Sequence, residues 1–151
     1  ECRIGQNTPN ATLLIKVAAE VALGKREALQ IFGTDYDTED GTGVRDFIHV
    51  EDLASAHIKA LEYLRNSGSS RTFNCGYGHG YSVRDVVNAV EQEMGTALNT
   101  IEQPRRAGDP PCLISDCGAI KETLKWEPQY DDINKIVKTS IDWERKLQDK
   151  G

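Results

Sequence analysis

Three apolar stripes at helical spacing constrain this chain more than any other feature. Leu14, Val17, Ala18 and Val21 fall at i, i+3, i+4 and i+7 and stop at Gly24. Val83, Val86, Val87, Val90 and Met94 repeat the pattern and stop at Gly95, and Ile133, Ile136, Val137 and Ile141 give a third stripe. Each is a helix with one apolar face, and three such faces must be buried against a common layer. The runs Leu29–Phe32, Thr72–Cys75 and Leu98–Gln103 are too short for helices and are read as strands. A fourth helix is expected from near Glu51 to about Arg65, with Leu53, Ala56, Ala60 and Leu64 on its packed face. A short helix at about 117–124 precedes the stop at Pro128, and the third stripe belongs to a final helix from Asp131 to about Leu147. Ser82 and Asp85 have the spacing of a capping box. The class is mixed α/β, in one domain of 151 residues, long enough to bury a core.

Composition excludes several classes. At 38% hydrophobic and 28% charged residues the chain is neither disordered nor fibrous. No apolar run approaches the roughly 18 residues of a membrane span. Glu1-Cys2-Arg3 does not open a secretory leader, so a soluble cytoplasmic protein with no membrane partner is expected. A net charge of −6 argues against nucleic acid as a partner. Cys2, Cys75, Cys112 and Cys117 form no C-x-x-C pair, and His49, His57 and His79 do not complete a zinc pattern. Reduced thiols and no metal are the expectation.

Three segments carry chemistry. Gly76-x-Gly78-x-Gly80 follows a strand-like run and precedes a helix, the context of a dinucleotide-binding loop. The third glycine comes one position early, and Tyr81 stands where it should be. A tight loop is the better reading. Arg45 lies in the otherwise apolar alternation Val44–Val50, where its guanidinium can fork onto a phosphate or pair locally with Asp46 or Glu51. The run Pro104-Arg105-Arg106-Ala107-Gly108-Asp109-Pro110-Pro111 is a stiff loop with two cations and one carboxylate. That set suits a diphosphate carrying ribose hydroxyls, or else is a solvated charge cluster.

The order and spacing of several segments resemble UDP-glucose 4-epimerase, an extended short-chain dehydrogenase family. They are Val21–Glu27, Ile31–Tyr36, Thr38–Leu53, Asn74–Val83 and Pro104–Pro110, and the resemblance runs from about residue 10 to the end. It covers only the C-terminal part of that enzyme, somewhat under half. The implied fold is therefore a mixed α/β substrate-binding domain plus a few elements of the Rossmann-like sheet. The N-terminal NAD-binding Rossmann domain has no counterpart within residues 1–151. No tyrosine has a lysine four positions on, so the family's Tyr-x-x-x-Lys catalytic couple is missing.

The resemblance implies an isomerase that interconverts UDP-galactose and UDP-glucose with NAD, homodimeric through its N-terminal half. The chain alone is expected to be inactive and to bind no NAD. By the same resemblance Arg45 and Arg106 bind the diphosphate, Asp109 the ribose, and Phe32 lies beside the uracil. Leu14 and Gln30 supply backbone contacts, and Leu113 faces the sugar. The sequence departs from the family where Leu13-Leu14-Ile15-Lys16 opens the first helix, since Leu13 replaces a polar side chain. Two other readings stand beside this one. They are another nucleotide-sugar epimerase or dehydratase of the same superfamily, and a non-catalytic UDP-sugar-binding module.

Overall fold

A computed structural model describes residues 4–149, so Cys2 lies outside the described residues. The elements in chain order are α1 (Leu14–Ala22), β1 (Leu29–Phe32), β2 (Val44–Arg45), α2 (Val50–Arg65), β3 (Tyr81–Ser82) and α3 (Val83–Met94). Then follow β4 (Thr100–Gln103), β5 (Cys112–Leu113), α4 (Gly118–Leu124) and α5 (Ile133–Gln148). The three striped helices, α1, α3 and α5, pack on one another around a core of Ala18, Ala19, Val86, Val90, Val137 and Ile141, which also takes in Leu29 and Ile31 of β1. The α3 start is a reciprocal capping box: Asp85 N donates to Ser82 Oγ (2.9 Å) and Ser82 N donates to Asp85 Oδ2 (2.8 Å). Gly95 closes the helix in the left-handed conformation, at φ +67°.

The sheet layer is two small sheets. In one, β1 and β4 pair in parallel, Leu29 opposite Thr100 through Phe32 opposite Gln103. In the other, the central β2 is antiparallel to β3 and parallel to β5, with Arg45 opposite both Tyr81 and Leu113. Residues 33–43 lead from β1 to β2, and residues 104–111 lead from β4 to β5. Because both strand pairs are parallel, the two loops leave and arrive side by side. This arrangement builds the candidate site at the carboxyl ends of β1 and β4, where open α/β sheets place ligands.

Two expectations need correction. Thr72–Cys75 is not a strand: Phe73 and Cys75 pack beside a second core of Ala56, Ile120, Leu124 and Trp126, but no described strand runs alongside to pair with the segment. The α2 packing face is also displaced. Ala56 is buried and Ala60 half-buried, but Leu53 and Leu64 are exposed, because α4 takes the side carrying Asp52, Ala56 and Ala60.

Candidate functional site

The site begins at Phe32, the last residue of β1. Gly33 N donates to the carbonyl of Gln103 (2.9 Å), so the parallel register sets the start of loop 104–111 beside Phe32. The Arg106 guanidinium then lies over the Phe32 ring, 3.7 Å from its centroid. Arg105 lies over the Tyr36 ring at 4.4 Å, and its Nε donates to the Asp35 carboxylate at 2.7 Å. Two consecutive arginines from one loop thus stack on two aromatics at the start of the other. The hydrogen bond from Arg105 holds the Asp35 carboxyl below its ordinary range. Gly33 has φ +83°, and a Cβ there would collide with Tyr36 and the Arg105 side chain, so the close approach of the loops requires glycine.

The second anchor is Arg45. Its Nη1 donates to the Val44 carbonyl (2.7 Å), and its Nη2 donates to Asp109. Neither local partner expected for Arg45, Asp46 or Glu51, is the one used. Asp46 instead accepts from Tyr77 N (2.9 Å), Gly78 N (3.0 Å) and Ser115 N (3.3 Å). The first two amides belong to the glycine-rich loop and the third follows β5, and a Cβ on Gly76 would strike Asp46 and Ser115. An internal carboxylate therefore fills the anion nest that a dinucleotide pyrophosphate would need. The described residues of this loop do not fit NAD, and no group of three or more described His, Cys, Asp or Glu residues could hold a metal. Cys75, Cys112 and Cys117 are free thiols.

A buried polar hub adjoins the Asp46 carboxylate through Tyr77. Asp52 accepts from the Tyr77 hydroxyl (2.7 Å) and from the backbone N–H of Gln129 (2.8 Å) and Tyr130 (2.9 Å). His49 caps α2: its Nδ1 accepts from Glu51 N (3.1 Å), so its proton is on Nε2, which donates to Thr139 Oγ1 (3.0 Å). Burial lowers the His49 pKa, outweighing the Glu51 and Asp52 charges that would raise it, while Lys135 lowers it further.

A family model, the NAD dependent epimerase/dehydratase family, matches residues 3–76. The UDP-glucose 4-epimerase of Azospirillum brasilense is 51% identical over 97% of this chain and 42% of its own length. The chain is homologous to part of UDP-glucose 4-epimerase. It spans less than half of the curated epimerases it matches, including one from Rhizobium meliloti aligned over the whole chain and 46% of that relative. Two solved epimerase structures have the same fold. The UDP-Glc/GlcNAc 4-epimerase of Campylobacter jejuni is 54% identical with a TM-score of 0.82, over 94% of this chain and 43% of that one. The UDP-glucose 4-epimerase of Stenotrophomonas maltophila, with bound NAD and formylated UDP-arabinopyranose, is 36% identical with a TM-score of 0.94, over 99% and 45%. The α/β class is the epimerase fold.

Five of the seven residues singled out from the epimerase resemblance are tied to one another here. Phe32 touches Arg106, Arg45 touches Asp109, and Leu113 sits opposite Arg45 on β5. Asp109 N also donates to the Arg106 carbonyl (3.3 Å), which puts those two on one turn. Leu14 and Gln30 make no hydrogen bond or ring contact with this group; Leu14 is half-buried against the helical core and Gln30 is exposed on β1. At the divergent helix start, Leu13 is exposed and gives α1 no side-chain cap. Lys16 is buried, bonded to Glu144 at 2.5 Å and to Glu20 at 3.1 Å. Burial alone would lower its pKa, but those bonds prevail and raise it. Lys16 is therefore a strut between α1 and α5. The clamp of Arg105, Asp35 and Tyr36 was missed in the sequence because its members lie 70 residues apart. The only trace was Arg105 preceding Arg106 in a proline-bounded loop.

Proposed function

We propose that this chain is the C-terminal, UDP-sugar-binding portion of a longer polypeptide that interconverts UDP-galactose and UDP-glucose by NAD-dependent epimerisation at C4. The supporting observation is the convergence of Phe32, Arg45, Arg106 and Asp109 at the carboxyl ends of two parallel strands. In this reading the guanidinium forks of Arg45 and Arg106 hold the diphosphate. The Asp109 carboxylate accepts from ribose hydroxyls. Phe32 lies beside the uracil, with Leu14 and Gln30 offering backbone groups, and Leu113 faces the sugar. Relatives more than twice as long, together with the misfit of the Gly76 loop, support an NAD-binding Rossmann domain preceding this chain. That domain would supply the Tyr-x-x-x-Lys couple and a homodimer contact, so the 151 residues alone are inactive. A cytoplasmic site of action accords with the absence of a helix long and apolar enough to cross a membrane among the described residues. The substrate range extends weakly to N-acetylated sugars, as the name of the C. jejuni relative suggests.

Titration calorimetry with UDP tests the assignment. In the full-length protein, Arg45→Ala and Arg106→Ala should each weaken binding by about 1.5–3 kcal/mol, the worth of a hydrogen bond to a charged group. Unchanged affinity in both variants would reduce these arginines to surface ion pairs and overturn the assignment.

A further inference from the structure

The Arg45–Asp109 pair is set by backbone rather than by two free side chains meeting at a surface. Arg45 is fixed at the centre of its sheet, with its side chain only 25% exposed. Asp109 is brought to it by Pro110 and Pro111, because Val44 N donates to the Pro111 carbonyl at 2.8 Å. On its other side, Asp109 closes a turn with Arg106 in which Gly108 takes φ +79°. One carboxylate, carried on the same turn as Arg106, therefore already engages the Arg45 guanidinium.

A phosphate that takes the Nη2 side of the Arg45 fork competes with Asp109 for it and puts a new negative charge beside the carboxylate. A ribonucleoside diphosphate compensates, because its ribose hydroxyls donate to the freed carboxylate. Inorganic phosphate and pyrophosphate carry at most an acidic P–OH where the nucleotide presents a pair of ribose hydroxyls, so they replace the lost contact poorly and meet mainly repulsion. We propose that Asp109 is a specificity-determining residue: by holding Arg45 it selects ribonucleoside diphosphates against inorganic phosphate anions. This rests on the UDP-binding reading above and adds a second task for Asp109, rejection of the wrong anion.

The test is a double-mutant cycle in the full-length protein, read by titration calorimetry with UDP and with inorganic pyrophosphate at fixed ionic strength. Asp109→Asn keeps the shape and an acceptor oxygen but removes the charge. It should tighten pyrophosphate about fivefold, the upper range for a part-exposed ion pair, while UDP gains nothing. In the Arg45→Ala background the same substitution should change pyrophosphate affinity less than twofold. Unchanged pyrophosphate affinity in Asp109→Asn would overturn the proposal. So would an equal gain in the Arg45→Ala background, which would show general relief of negative charge. If instead UDP does not bind the unmodified protein, the UDP-binding reading itself has failed.

Discussion

In the UDP-sugar reading proposed above, Leu113 is the position that sets the width of the sugar pocket. It stands opposite Arg45 in parallel register and is 61% exposed, so the space beyond it is open. A branched apolar side chain leaves room for a substituent at C2 of the sugar but offers no hydrogen bond to an acetamido oxygen. Selectivity from apolar shape alone is worth about 1–3 kcal/mol, or roughly 10–200-fold. We expect the full-length protein to prefer UDP-glucose and UDP-galactose, to turn over N-acetylated sugars weakly, and to lose the second activity in Leu113→Tyr. The measurement is the ratio of kcat/KM for the two sugar types; the same ratio in both proteins would mean that Leu113 does not face C2. At this scale the sequence was half legible. Phe32 is singled out only by the family resemblance, whereas Arg105, Arg106 and Asp109 stand out as a charged set in a proline-bounded loop. The partner of Arg45 does not, because Asp109 is 64 residues away and the nearer Asp46 is consumed by backbone amides.

Among the elements, α2 carries the clearest pH response, through its cap. His49 is buried and neutral, with its pKa held below the ordinary 6.5. The folded state therefore binds fewer protons than the unfolded chain once the pH falls below that value. The stability that depends on neutral His49 is complete above about pH 6.5 and is lost as the pH falls toward the depressed value. His49→Asn retains a capping acceptor and does not titrate. We expect it to cost about 1 kcal/mol at pH ~7.5, with a smaller deficit near pH 5. Urea unfolding of both proteins at the two pH values reads this directly, and His57 and His79 cancel in the difference; a deficit that widens with acid would sink the argument. The long helices were legible in the sequence because a stripe of four or five side chains repeats the same fact. The two-residue strands β3 and β5 were not, since no periodicity fits in two residues and only a partner defines them. Thr72–Cys75 failed for the converse reason: strand-like composition without a neighbouring edge yields no strand.

For the whole molecule, the most telling surface is the uncovered side of α2. Asp52, Ala56 and Ala60 face the rest of the chain, whereas Val50 (68% exposed), Ile58 (58%), Leu61 (49%) and Leu64 (51%) project outward with Leu53. A helix apolar on two sides is built to be buried on both. The occupant we assign to the open side is the domain proposed above to precede this chain. The relatives leave more than half of their length for it, and the adjoining run 72–75 pairs with no strand among the described residues. A cysteine introduced as Leu61→Cys gives the readout. In the 151-residue chain it should react with a maleimide at the rate of an exposed thiol, with Leu61→Ser correcting for the native cysteines. In the full-length protein the same position should be protected at least tenfold. Equal reactivity in both would leave the face to another partner. Protection in the short chain that grows with its concentration would identify a second copy of this chain as the occupant instead, and would overturn the assignment as surely.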